Sequence, residues 1–369
     1  MKILVSGDFC PRQRVAERFK LGDFQSVLGA VKTVIKNADY SIVNFECPVT
    51  KGGEKPIVKQ GPNLQCSSKG LEAVEWAGFD CVTLANNHFR DYGDEGVKNT
   101  IDECKAIGID MVGGGTDIKE ASKILYKHIG EHTLAIINCC EHEFSIATND
   151  SGGSNPLNPV QQYYAIKEAK NKADYVLVIV HGGHEHWQLP SPRMRETYRF
   201  FIDAGADAVV NHHQHCYSGF EVYNDKPVFY GLGNFCFDWP ERNSEKWNHG
   251  YMVCLDFNKI IGFNIIPYKQ CADTPAIEIL PDESFNIKLK DLNSIIESPP
   301  RLKEKTDEYY NKSVKNVNCI FEPIDSRFLR SLRKKGLIPS LISTKRKIIA
   351  QDFIRCEAHR DKLLYWLNK

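Results

Sequence analysis

Between Tyr175 and Asp238 the chain twice runs from an apolar stretch into a cluster of histidines. Val176-Leu-Val-Ile-Val180 stops at His181-Gly-Gly-His-Glu-His186, and Ala206 to Val210 stops at Asn211-His-His-Gln-His215. A polar stretch of helical character separates them. Six of the twelve histidines fall between 181 and 215, all just beyond predicted strands. Short apolar runs bounded by turn residues read as buried strands, and open α/β sheets carry their chemistry at the carboxyl ends of such strands. Imidazole is the commonest metal ligand, so two clusters delivered by neighbouring strand ends point to a metal centre.

The earlier part of the chain repeats the pattern. Ile3 to Ser6 reads as a strand ending at Gly7-Asp8, and Tyr40 to Phe45 as one ending at Glu46. Asp80 to Leu84 is a third, ending at Asn86-Asn87-His88. Helices are predicted over 24–36, 68–77, 96–106 and 160–172, where apolar residues recur at helical spacing. A strand is predicted at 109–112, a helix start at 118–128 and a strand at 132–138. Residues 50–66 and 141–158 read as loops, the second long enough to serve as a lid. Residues 226–234 read as a strand entering a turn, and 252–257 with 260–267 as a hairpin. Alternating strands and helices argue for an α/β fold with a largely parallel centre.

Composition narrows the class. The 369 residues carry no net charge, so no global field draws the chain to nucleic acid or an anionic membrane. The thirteen cysteines are scattered and include no C-x-x-C pair, which points to a reducing compartment, the cytoplasm. The first residues read as a strand rather than a secretory leader, and no apolar run approaches membrane-spanning length. From Arg301 onward, 17 Lys and Arg face 8 Asp and Glu. Two readings stand for this basic tail, with helical patterns at 328–335 and 347–355. It is a solvated appendage or a docking surface for an anionic partner.

Four strand ends therefore carry Asp8, Glu46, Asn87-His88 and the two histidine loops. Mixed oxygen and nitrogen donors suit Mn, Fe or Zn better than an all-oxygen calcium cage. The set exceeds what one tetrahedral ion needs. Two divalent metal ions about 3.5–4 Å apart, bridged by a carboxylate, would use it and would generate hydroxide at neutral pH.

These motifs resemble the bacterial CapA family of capsule and poly-γ-glutamate biosynthesis proteins, whose fold is that of calcineurin-like metallophosphoesterases. The matching residues are Gly7-Asp8, Asn44-Phe-Glu46, Asn86-Asn-His-Phe-Arg-Asp-Tyr-Gly93, His181-Gly-Gly-His-Glu185, Gly205-Ala-Asp207, Asn211-His-His-Gln-His215 and Gly231-Leu-Gly-Asn-Phe235. They cover residues 1–270 in order. The resemblance implies a four-layer α/β/β/α sandwich over 1–270, followed by a basic, mostly helical extension over 271–369. It also implies that Asp8 and His215 hold one metal, that Asn87, His181 and His213 hold the other, and that Glu46 bridges. His88, oriented by Asp91, would act as acid or electrostatic stabiliser; an imidazole beside a carboxylate has a fixed tautomer. His184, Glu185 and Asn234 are candidates for contact with substrate, and His212 for a supporting place behind the ligands.

The chain departs from the pattern in places. Cys10 stands where classical metallophosphoesterases carry a histidine, which either weakens the first site or marks a core thiol. Asn211 and Gln214 replace a glycine and a proline, changing the turn and not the ligands. Gly113-Gly-Gly-Thr116 reads as a turn, since it lacks the P-loop lysine. Cys139-Cys-Glu-His-Glu143 lines the pocket or is structural, and Glu221 and Asp238 lie within reach of the cleft.

The expected function is dinuclear-metal hydrolysis of a phosphoester or amide in a small-molecule or polymer-precursor substrate, linked to capsule, polyglutamate or surface-polysaccharide assembly. The alternative is a non-catalytic accessory protein that keeps the fold and docks on capsule-synthesis machinery through its basic tail. Nucleic acid is not expected as a partner.

Overall fold

The apolar strands are continuous rather than alternating because both of their faces are covered. Ile3, Val5 and Ile42 point from one sheet into a core shared with Leu134, Ile136, Leu177 and Ile179 of a second sheet. Their neighbours Leu4 and Val43 point outward, against the helices Gln13–Lys20, Gln25–Lys36, Lys69–Ala77 and Gly93–Ile107. On the far side Val176, Val178 and Val180 meet the helices Pro159–Lys172 and Pro192–Ala204. The result is a helix–sheet–sheet–helix sandwich, seen in a computed structural model that describes residues 1–321 and 343–367.

The first sheet runs in the order Ile277–Ile279, Gly262–Gln270, His249–Asp256, Lys2–Cys10, Tyr40–Phe45, Cys81–Thr83, Asp110–Val112, with Asn234–Phe237 paired beside the end of Lys2–Cys10. The second runs Phe220–Tyr223, Lys226–Phe229, Ala208–His212, Tyr175–His181, His132–Cys140, Leu125–Ile129. Parallel pairing at both centres fixes the register that matters. Asp8 lies level with Asn44 and Asn234, and His181 level with Cys140 and His212. The ends of both sheets thus open on the same side of the sandwich.

The chain crosses between the sheets at Leu232-Gly233-Asn234. There the Gly233 carbonyl accepts a hydrogen bond from the Asp8 amide at 3.1 Å. A Cβ on Gly7 would lie 1.9 Å from that carbonyl oxygen, so the strand end that presents Asp8 requires glycine for its close approach. The polar stretch after His186 becomes a helix because Ser191 caps the Met194 amide and Pro192 takes the first turn.

Three expectations change. Residues 118–128 are helical only over Ile118–Ala121; Leu125–Ile129 is an edge strand. Leu125 and Ile129 face the inter-sheet core and Tyr126 the outer one, a period of two rather than 3.6. The 141–158 loop is no lid. Ser154 Oγ donates to the Asn86 carbonyl at 2.8 Å, Asn155 Nδ2 donates to the Asn138 carbonyl, and Gly153–Ser154 pairs with Gly114–Gly115. The loop braces the turn that carries Asn87 and His88, and the glycine run is a strand partner rather than a bare turn.

Beyond residue 270 the chain keeps adding to the core. Phe285 and Leu289 of Asp282–Ile296 close the inter-sheet space. Ile296 and Leu302, the latter from Pro299–Phe321, join the outer cluster. The helix Thr344–Arg355 contains the 347–355 pattern, and a last helix, Glu357–Leu367, follows it. The 328–335 pattern lies outside the described residues.

Candidate metal centre

The two sheets deliver their polar strand ends to one buried point. Asp8 Oδ1 accepts from Asn44 Nδ2 at 2.7 Å, and its Oδ2 lies 3.5 Å from His215 Nδ1. Glu46 Oε1 lies 3.6 Å from His215 Nε2 on one side and 3.6 Å from His181 Nε2 on the other. His181 Nε2 meets Asn87 Oδ1 at 3.0 Å and His213 Nδ1 at 3.1 Å. Asp8, Glu46 and His215 form one compact triad of donor atoms, and Glu46, His181 and His213 another. Glu46 belongs to both.

The electrostatics fit a cation there. Both Glu46 oxygens are buried without a hydrogen-bond partner. Burial and the neighbouring Asp8 carboxylate push the Glu46 carboxyl well above its usual range. An unpartnered buried carboxylate is a costly arrangement for a chain alone. Burial holds His181 well below its ordinary value, and takes His215 down to about 4, so both imidazoles are neutral, the form that ligates metal. Burial also works against the Asp8 charge, but His212, then His215 and Asn44, keep it below its usual range. One ionised carboxylate, one uncompensated carboxylate and neutral imidazoles are a donor set that two divalent ions would satisfy.

The backbone supports this placement. His213 and His215 have φ of +93° and +54°, a region that non-glycine residues seldom occupy and that tends to be held under strain at functional sites. His212, between strand and turn, stands behind Asp8 with Nδ1 3.4 Å from Oδ1.

His88 and Asp91 lie beside the centre, with Nδ1 to Oδ2 at 2.6 Å. Lys59, from the 50–66 loop, shares the dyad: its Nζ is 2.6 Å from Asp91 Oδ1 and 3.0 Å from His88 Nδ1, with a side chain only 2% exposed. Burial, and then Lys59, hold His88 below its ordinary value against the pull of Asp91. Sequence reasoning missed Lys59, because nothing in a loop of Gly and Pro distinguishes one lysine. Glu143 was left open between pocket and structure; its Oε2 accepts from Asn87 Nδ2 at 2.9 Å and so orients that carboxamide.

The three substrate candidates part company. The Glu185 side chain is half-exposed at the rim; desolvation by the surrounding protein opposes its charge, but His215 and His213 hold the carboxyl down to about 2. His184 points away from the centre, buried under the helix Pro299–Phe321, with Nε2 3.1 Å from Tyr310 Oη and its ring stacked on Tyr309. Asn234 is fully buried. Its Oδ1 meets His215 Nδ1 at 2.9 Å while its Nδ2 donates to the carbonyls of His215 and Trp247. His184 packs against aromatic rings, and Asn234 holds His215. Cys10 is a buried thiol. Glu221 pairs with Arg195 and Arg199, and Asp238 with Arg14, so both are occupied structurally.

Two stacked sheets between helical layers, with carboxylates and imidazoles gathered at their strand ends, make an α/β sandwich that carries a candidate metal centre. The family described as "bacterial capsule synthesis protein PGA_cap" matches residues 2–239, and the chain belongs to that family. It is 36% identical over 240 residues to a capsule biosynthesis protein CapA of Bacillus anthracis, across 63% of this chain and 58% of the other. It is 34% identical over 216 residues to a PGA biosynthesis protein CapA of Bacillus subtilis, across 58% and 57%. A Mycobacterium tuberculosis protein named "Probable polyglutamine synthesis accessory protein" is 27% identical over 247 residues, across 62% and 64%. The chain thus spans about six-tenths of these relatives. A calcineurin-like phosphoesterase from Bacillus subtilis superposes with a TM-score of 0.41 at 12% identity, covering 81% of this chain and 99% of that one.

Proposed function

We propose that the chain is a hydrolase that uses two divalent ions to cleave a phosphoester, or alternatively an amide, in a precursor of capsule, polyglutamate or surface polysaccharide. The observation that carries this reading is Glu46, whose two unpartnered oxygens stand between two donor triads. Asp8 and His215 would hold one ion, Asn87, His181 and His213 the other, and Glu46 both. The ions, when bound, would supply an activated water and neutralise charge on the attacked group. The chain's own work is positional. Asn44 and His212 hold Asp8, Asn234 holds His215, and Glu143 holds Asn87. His88 has Nδ1 committed to Asp91 and Lys59, leaving Nε2 to meet the substrate or leaving group. Glu185 at the rim disfavours substrates that carry negative charge there and accommodates a cationic or hydroxyl-bearing part.

The reducing compartment is inferred from scattered cysteines without a C-x-x-C pair, twelve of which are free thiols. None of the described helices is long and apolar enough to cross a membrane.

A second reading, an accessory role without turnover, is favoured by the name of the mycobacterial relative and by the basic surplus after Arg301. Metal analysis with hydrolysis screens on phosphoesters and γ-glutamyl peptides separates the two. The hydrolase reading expects turnover that falls at least about a hundredfold in Asp8→Ala and His213→Ala. If both variants retain full function in capsule or polymer formation, the accessory reading stands.

A further inference from the structure

A second cluster of metal-binding groups lies where the last two helices meet the sandwich. Cys356 is the single residue between Thr344–Arg355 and Glu357–Leu367, and it is fully buried. Its sulfur is 3.8 Å from Glu143 Oε1 and 3.9 Å from Glu141 Oε2. Donor atoms of Glu143, Cys356 and His359 lie within 4.8 Å of one another. We propose that these three residues form a separate zinc site that fastens the C-terminal helices to the loop carrying Glu143.

Three independent features support the assignment. The first is donor chemistry: a thiolate, an imidazole and a carboxylate are the ligand types of tetrahedral zinc, with a fourth position left for water or Glu141. The second is support for the imidazole. His359 Nδ1 lies 2.6 Å from Asp352 Oδ2, and Asp352 is itself buried, with Oδ1 lacking a partner. A carboxylate this close to a ring nitrogen is the usual support of a metal-ligating imidazole. The third is charge. Glu141 is answered by Arg193 at 2.6 Å and by the Ala358 amide. Among the described residues Glu143 has no lysine or arginine partner; besides the Cys356 sulfur it meets the Asn87 carboxamide and, at 3.7 Å, His213. A cation held by Glu143 and Cys356 would answer that carboxylate. Binding would release the Cys356 thiol proton to solvent. Because Glu143 also orients Asn87, the last helices would be tied to the geometry of the neighbouring centre.

The inference does not rest on the hydrolase reading, since its signature is sulfur and the dinuclear donor set contains none. Metal-stripped full-length protein titrated with Co²⁺ should develop a near-ultraviolet thiolate-to-cobalt absorption of one equivalent per chain. Cys356→Ser should abolish it, His359→Gln should weaken the affinity at least about tenfold, and Cys10→Ser should leave it intact. Absence of the band in the unmodified protein would overturn the proposal, and this outcome needs no variant to fold. So would a band that survives Cys356→Ser, or one that Cys10→Ser removes.

Discussion

Glu46 is the residue on which most depends. Its carboxyl is raised above the unfolded value by burial and by Asp8, so in metal-free protein its ionisation opposes folding. The sign follows from linkage: that opposition is absent below the unfolded carboxyl range and grows as pH rises, until the folded group titrates. Glu46→Gln removes the charge and keeps the shape. Chelator-treated Glu46→Gln should therefore be more stable than chelator-treated parent at neutral pH, by about 1–3 kcal/mol, while gaining less on metal addition. Thermal melts of the two proteins, with and without metal, check both halves. At this scale the sequence was informative where a side chain ends a strand, as with Asp8, Glu46 and His181. It was silent for Lys59, which reaches His88 from a loop, and misleading for His184. The fate of that ring is decided by Tyr309 and Tyr310, 125 or more positions away, a contact that no local pattern encodes.

At the level of elements, the strand ends are positioned by two contacts that tolerate little change. The Gly7–Gly233 approach lets the crossing segment lie against the end of Lys2–Cys10. Gly7→Ala places a methyl carbon against backbone rather than against a movable side chain, and should cost about 3 kcal/mol or more. A lowered denaturant midpoint would register this; an unchanged one would show that the approach is not tight in solution. The second contact is between His142 and Glu357, with Nδ1 2.7 Å from Oε1 and the His142 amide donating to Oε2 at 3.0 Å. The Glu357 hydrogen bond raises His142. Burial works against the Glu357 charge, but His142 keeps it below its usual range. The His142 contribution is complete below the unfolded imidazole value and is lost as pH rises through the higher folded one. The Glu357 contribution is complete above the unfolded carboxyl value and is lost as pH falls through the lower folded one. Amides of Glu357–Leu367 should thus be best protected from hydrogen exchange between about pH 4.5 and 6.5, once intrinsic rates are removed, and less so on either side.

For the whole molecule, the α/β class with a parallel centre was legible because strands covered on both faces write continuous apolar runs, each ending in a chemically distinctive turn, whereas the four-layer stacking was implied only by the family resemblance. The predicted helical pattern at residues 328–335 lies outside the described residues. What could not be read was how the chain after residue 270 returns to the core through Phe285, Leu289, Ile296 and Leu302. Those side chains sit on ordinary amphipathic helices, which say that a face is buried but not against what. The consequence for function is that the last helices reach Glu141, His142 and Glu143, next to Asn87, so the centre is framed by both ends of the described chain. The central claim remains that two ions share Glu46, and electron paramagnetic resonance of Mn²⁺-loaded protein tests it most directly. The expected spectrum is that of an exchange-coupled manganese pair, which Glu46→Gln converts to isolated ions. A spectrum of isolated ions at every loading of the unmodified protein would contradict it.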